Sequence, residues 1–292
     1  MHDPAESIGH RAATTVAMVL PTAILVVTGL VLPLLLLLRF SFNHYASAEG
    51  MVDAFTFENY ASLITDPFFR DVLFSTLIMA TVTTGFCLLG GLPVGYFIAR
   101  LTSRRLKTLM ILVVLLPLLI GSAARTAGWL ILLGDRGLLN SIFLAWGLRA
   151  SPLTMVYTPF AVVIGLVSVL LPFMIISLQS VFENIDVSLE EASRSLGSPP
   201  LKTFFRIVLP IALPGVVAGS LFCFVLSMNA YATPRLLGGP QFRTVSTEMY
   251  QQITQQANWP MGSALAFVLM TLTLVSAALP PLLARARRVA TS

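Results

Sequence analysis

Side chains able to do chemistry are few in this chain. The three histidines, His2, His10 and His44, lie near the N-terminus or in a loop, and no nucleophile–base pair accompanies them, so no catalytic residue is assigned. Cys87 and Cys223 sit inside apolar runs and read as small buried hydrophobes, not as a disulfide or a metal site. The net charge of +5 comes with no zinc, RNA-recognition or basic-helix pattern. No Gly-rich loop ends in Lys-Ser or Lys-Thr, so the chain carries no nucleotide site of its own. What remains is one polar island, Glu190-Glu191-Ala192-Ser193-Arg194-Ser195-Leu196-Gly197, between two long apolar segments. Its chemistry is that of docking, not of bond-making.

The island predicts a short helix. Ser188 with Glu191 has the spacing of a capping box, and Asp186 is an alternative cap. Gly197 suits the left-handed position after a helix, and Pro199-Pro200 stops the helix from continuing. Glu190 and Arg194 can pair at i,i+4, while Leu189, Ala192 and Leu196 share one face. A helix of about two to three turns does not persist alone and needs a surface to lie against.

The elements that position this island are membrane spans. Of 292 residues 56% are hydrophobic and 11% charged, far from soluble-globular usage, where about 25% are charged. The expected fold is all-α and polytopic, with six transmembrane helices over about 12–38, 72–99, 108–122, 155–178, 211–230 and 262–283. Residues 1–11 form a polar tail, 12–284 the transmembrane domain with the island's loop (179–209) inside it, and 285–292 a basic tail. The first run ends at Arg39 with no cleavage motif and reads as a retained span.

Within the spans, Gly90-Gly91-x-Pro93-x-Gly95 implies close helix packing or a local break. Segment 123–154 is expected between spans three and four, with a short interfacial helix over 138–148. Residues 201–209 read as an amphipathic lead-in lying flat at the surface, with Pro210 and Pro214 bending the chain into span five. Arg125 and Trp129, four apart, share a helix face: an interfacial anchor is the simpler reading, contact with substrate or a binding protein the other. Asn258-Trp259-Pro260 reads as the turn that starts span six, with an aromatic belt residue.

Charge orients the spans. With the N-terminus inside, the inner segments hold Arg11, Arg100, Arg104, Arg105, Lys107, Arg194, Lys202, Arg206, Arg285, Arg287 and Arg288, most of the 18 basic residues. Both termini and the island are then cytoplasmic. The span cores carry no acidic or basic residue, which argues against a secondary carrier that couples through an intramembrane ionisable group. No filter motif of a channel is present. The motor therefore belongs to another subunit; a secondary carrier and a membrane scaffold that moves nothing are the rival classes.

These residues resemble the inner-membrane permease subunits of binding-protein-dependent ABC importers. The family's signature is Glu-Ala-Ala, three residues, Gly, nine residues, Ile-x-Leu-Pro. Here it reads Glu191-Ala192-Ser193, Gly197, then Ile207-Val208-Leu209-Pro210, both gaps matching and Ser193 replacing the second Ala. Arg125-Thr126-Ala127-Gly128-Trp129, Gly137-Leu138-Leu139-Asn140, Leu171-Pro172-Phe173, Leu237-Gly238-Gly239-Pro240 and Asn258-Trp259-Pro260-Met261-Gly262 resemble its spermidine/putrescine branch. The resemblance implies the type I importer fold in a bacterial inner membrane, with a cytoplasmic coupling helix between spans four and five. It implies contact with an ATPase dimer through Glu190, Glu191, Ala192, Ser193, Arg194, Leu196, Gly197, Ile207 and Pro210. It places a translocation path or outer-face contact at Arg125, Trp129, Asn229, Asn258 and Trp259. Its expected partners are that ATPase dimer, a second permease chain and a periplasmic solute-binding protein, with no nucleic acid. No metal or cofactor is expected on this chain, ATP and magnesium being held by the ATPase subunits. The implied solute is a polyamine, spermidine or putrescine; ferric iron, a phosphonate, thiamine or an opine are the alternatives.

Overall fold

Asp66 and Pro67 decide where the second apolar run becomes helical. The Asp66 carboxylate accepts from the Phe68 N–H at 2.9 Å, and Pro67 takes the first helical position, where its missing N–H costs nothing. The helix thus starts some residues before the 72 expected from hydropathy, and runs unbroken to Ala99. A computed structural model describes residues 18–46, 49–147 and 151–290, with side chains through Ala278 in the last helix. The polar tail 1–11, the start of span one at Ala12, residue 148 and the side chains of the basic tail lie outside the described residues.

In chain order the elements are α1 (Met18–Ser41), the antiparallel pair β1 (His44–Ala46) and β2 (Gly50–Val52), α2 (Glu58–Thr65) and α3 (Pro67–Ala99). Then come α4 (Arg104–Leu115), α5 (Ser122–Leu133), α6 (Leu138–Ala145), α7 (Pro159–Glu183) and the docking helix α8 (Ser188–Ser195). Last are α9 (Pro200–Met228), α10 (Ala232–Leu237), α11 (Val245–Thr254) and α12 (Trp259–Ala290). Six helical runs among the described residues are long and apolar enough to cross a membrane: α1, α3, Ser122–Ala145, α7, α9 and Trp259–Ala278.

The third span departs from the sequence expectation. Helix α4 passes at Leu116–Leu119 into a 3₁₀ turn containing Pro117, and the chain then breaks at Gly121 before α5 begins. Pro117 removes an N–H from the ladder, and with Ile120 and Gly121 in non-helical conformation the run ends there. The apolar stretch long enough to span is therefore Ser122–Ala145, not 108–122, and unlike the expected span it includes charged residues, Arg125, Asp135 and Arg136. Span five also differs. Residues 201–209 are no separate surface helix: Pro200 opens a helical run that reaches Met228, widened into a π-turn at Phe204–Val208 just before Pro210. Span four starts at Pro159, capped by Thr158, and ends at Glu183.

The chain divides into two units. The first joins Met1–Thr65 with Met249–Phe267. In it, the Asn59 side-chain amide donates to the carbonyls of Ser41 and Asn43, both at 2.9 Å, and the Tyr45 hydroxyl donates to the Gln256 carbonyl at 2.8 Å. Helix α1 is exposed at every residue from 18 to 36, an apolar surface suited to lipid or to another helix.

The second unit joins Asp66–Glu248 with Val268–Ser292, and its centre is the packing of α3 on α7. A Cβ on Gly91 would lie 2.6 Å from Met174 Cγ, and one on Gly95 would lie 3.1 Å from the Ile175 carbonyl oxygen. The glycines therefore serve close approach and no break, as small residues do between helices in lipid. Helix α9 closes the trio, with Gly219 against Ser177. Cys87 and Cys223 are free and buried in this core, as expected of small hydrophobes. Asn140 is 1% exposed and ties the turn after α5 to the next segment: it donates to the Gly134 and Leu153 carbonyls and accepts from the Leu153 N–H at 2.8 Å.

Candidate docking helix and its anchorage

The docking helix begins at an aspartate and ends at a glycine. Of the two sequence-level caps it is Asp186 that acts, its carboxylate accepting from the Ser188 N–H at 2.9 Å. Hydrogen bonds from the backbone and then the side chain of Ser188 hold the Asp186 carboxyl below its usual range. At the other end Gly197 has φ +79°, its N–H donating to the Arg194 carbonyl at 2.8 Å while the Ser198 N–H donates to the Ser193 carbonyl at 3.1 Å. These are the two bonds of a Schellman motif, and they satisfy carbonyls that the helix end leaves open.

The helix lies with Glu190 and Ser193 inward. Glu190 is 2% exposed and Ser193 is buried, whereas Leu189 and Val187 are uncovered and Leu196 is 89% exposed. Leu189, Ala192 and Leu196 do share a face, and that face is open. Beyond the helix, Leu201 and Phe205 extend the exposed apolar surface.

Charge holds the inward side. Arg100, the residue closing α3, donates from Nε to Glu190 Oε1 at 2.7 Å and from Nη1 to the Phe182 carbonyl at 2.9 Å. The Tyr96 hydroxyl donates to Glu190 Oε2 at 2.5 Å. Arg194 reaches the same carboxylate at 3.6 Å, the i,i+4 pair read from sequence, but its side chain is more than half exposed and its share is small. Beneath Glu190 the rings of Tyr96, Phe182 and Phe204 meet edge-on or tilted, with centroids 5.0 to 6.0 Å apart. Ser193 Oγ and Thr203 Oγ1 form a second buried contact at 2.9 Å, and Lys107 pairs with Glu183 beside the same helix ends.

Glu191, Ala192 and Arg194 face outward, while Ile207 is half-buried and Pro210 exposed on α9, past the docking helix. Sequence reasoning missed Arg100 and Tyr96. Arg100 reads in sequence only as one of the inner basic residues, and nothing local signals that a carboxylate ninety residues away needs it.

The path candidates separate. Arg125 and Trp129, both on α5, converge on Ser168 of α7: Arg125 Nη1 donates to its carbonyl at 3.1 Å and the indole N–H to its hydroxyl at 2.8 Å. The second Arg125 nitrogen donates to the Ile120 carbonyl at 2.9 Å, at the break between α4 and α5. Asn229, exposed at the end of α9, donates to Thr273 Oγ1 at 3.3 Å. Asn258 and Trp259 belong to the other unit, where Asn258 Oδ1 accepts from the Met261 N–H at 3.1 Å and starts α12. A further buried carboxylate, Glu248, accepts from Arg243 at 3.0 Å, and no sequence signal marked it. No group of ligands able to hold a metal occurs among the described residues.

Residues 88–289, which contain α7, α8 and α9, match the family of binding-protein-dependent transport system inner membrane components. The chain belongs to that family. This permease is 36% identical over 244 residues to the spermidine/putrescine transport system permease protein PotB of Salmonella typhimurium strain LT2, covering 84% of this chain and 83% of the relative. PotB of Escherichia coli K12 is 35% identical, with 84% and 87% covered. A molybdenum transport system permease protein, ModB of Mycobacterium bovis, is 29% identical, with 73% and 80% covered. Among solved structures, a bacterial ABC transporter importing the acidic polysaccharide alginate superposes with a TM-score of 0.77 at 18% identity, covering 97% of this permease and 99% of that chain. The MetNI methionine ABC transporter gives 0.59 at 19% identity, covering 76% and 99%. The fold is that of a type I importer permease, and the permease is a multi-pass inner-membrane protein.

Proposed function

We propose that this permease carries a polyamine, spermidine or putrescine, inward as one half of an ATP-driven translocation path. A second homologous permease, a different chain, forms the other half. A periplasmic solute-binding protein delivers the solute, and a cytoplasmic ATPase dimer holds the ATP and magnesium. The observation that carries the docking part is the open apolar face of Val187, Leu189 and Leu196 on a helix anchored by Glu190 and Ser193. An apolar patch outside the spans, held out by buried hydrogen bonds, fits a groove on a partner protein. The extent of the PotB relationship supports the solute.

Both termini and the docking helix are then cytoplasmic. Cysteines placed at the exposed positions Phe55 and Tyr157 should label from outside, and at Leu196 from inside; Val245, outer by the same topology, is buried and makes a poor reporter. A Leu196→Cys chain that labels from outside would overturn the orientation and the docking together.

The test of the solute is the affinity of the cognate binding protein for spermidine, putrescine, ferric iron, a phosphonate and thiamine, followed by ATP-dependent uptake in reconstituted vesicles. Micromolar or tighter polyamine binding with the others absent is expected. Tight binding of another solute instead would favour the second reading, the same importer role for a solute other than a polyamine, as the molybdenum permease relative ModB illustrates. Uptake driven by a proton gradient without ATP would leave a secondary carrier.

A further inference from the structure

The buried carboxylate of Glu190 stands where three spans end. Arg100 closes α3, and its guanidinium joins Glu190 to the Phe182 carbonyl in the last turns of α7. Tyr96, one turn earlier on α3, holds the other carboxylate oxygen and stacks edge-on against Phe182 and against Phe204 of α9. A buried ion pair is a weak source of stability, because desolvating two charges offsets their attraction. Well-packed apolar residues at both 100 and 190 would fix the helix to the ring cluster about as well. What the pair adds is direction: short, charge-assisted hydrogen bonds resist sliding and rotation in a way that ring packing does not. Lipid-facing helices have little hydrophobic drive to move together, so a motion imposed at α8 needs such a link to reach them.

We propose that the Glu190–Arg100 pair, braced by Tyr96, is the joint through which α8 moves α3 and α7. The joint makes Glu190 a positioning residue, turned away from the partner, while Leu189 and Leu196 meet it. This rests on the docking reading above. Pushing α8 then displaces the ends of α3 and α7 as one body, and releasing it lets them return. Two packings of these spans, biased by what α8 binds, are what alternating access requires.

The test uses the assembled complex, with its ATPase, second permease and binding protein, in lipid vesicles. Glu190→Gln, Arg100→Lys and Tyr96→Phe are compared for ATPase retained on purification, hydrolysis stimulated by the binding protein, and solute carried per ATP. Retained ATPase and persisting hydrolysis are expected, with solute per ATP lowered about five- to tenfold in the first two variants and less in Tyr96→Phe, the scale of a 1–1.4 kcal/mol coupling. Tyr96→Phe removes one hydroxyl and decides the matter if the charge variants do not assemble. An unchanged ratio, or uptake and hydrolysis falling in parallel with the ATPase retained, would overturn the joint. Disulfide or chemical cross-linking from Leu196→Cys to the ATPase, in an otherwise unaltered chain, separates the two readings. Absence of the cross-link sinks the docking; its presence with an unchanged ratio sinks the joint alone.

Discussion

Ser193 Oγ and Thr203 Oγ1 lie 2.9 Å apart, both buried, and fasten the docking helix to the start of span five. Ser193 is the one departure from the family's Glu-Ala-Ala motif. It is no idle small-for-small exchange: it supplies a hydroxyl that meets another.

Ser193→Ala restores the motif and strands the Thr203 hydroxyl. A loss of about 1–2 kcal/mol is expected from an unsatisfied buried polar group. Adding Thr203→Val should recover most of it, since replacing both partners by apolar groups is nearly neutral. Thermal unfolding of the detergent-purified chain measures both; a single variant as stable as the parent would show that the contact contributes nothing.

Gly197 has room for a side chain, with no atom within 4 Å of a built Cβ, but its φ of +79° is in the left-handed region. Gly197→Val should therefore cost about 1–2 kcal/mol of local backbone strain, while Gly197→Asn is tolerated. Retention of the ATPase on purification should fall for Val and hold for Asn. Equal retention would mean that the Schellman end does not orient Leu196.

Gly91 and Gly85 sit on the same helix with opposite surroundings, the first against Met174 and the second against nothing within 4 Å. Gly91→Ala should destabilise by about 1–3 kcal/mol through overpacking, and Gly85→Ala should be neutral or stabilise by up to about 1 kcal/mol through helix propensity. Denaturant or thermal midpoints compared side by side decide it.

The Asp186 cap carries a sign with pH. Its carboxyl is held below the ordinary carboxylate value by hydrogen bonds from the Ser188 backbone and hydroxyl. A depressed folded value favours the folded cap above the ordinary carboxylate value, and the benefit is lost as pH falls through the depressed one. Amide exchange over 188–191 should therefore be faster in Asp186→Ala than in the parent at neutral pH, with the gap closing in acid. A gap independent of pH would assign the cap to geometry alone.

Local and long-range features divide according to how far their physical cause reaches. The sequence alone determined that several long runs must leave water, that a short polar helix stands after span four, and that Gly197 ends it, because hydropathy, capping and positive φ depend on neighbours a few residues away. It also marked Leu189, Ala192 and Leu196 as one face. Only the tertiary structure decided which face is covered. Glu190 turns inward because Arg100 and Tyr96, more than ninety places back in the helix numbering for one of them, offer charge and a hydroxyl that no i,i+4 neighbour can supply. The convergence of Arg125 and Trp129 on Ser168 was illegible for the same reason: donors 43 and 39 residues away from their acceptor become its partners only when two helices pack. The break at Pro117–Gly121 has a local cause, a proline and a glycine, that hydropathy alone does not weigh.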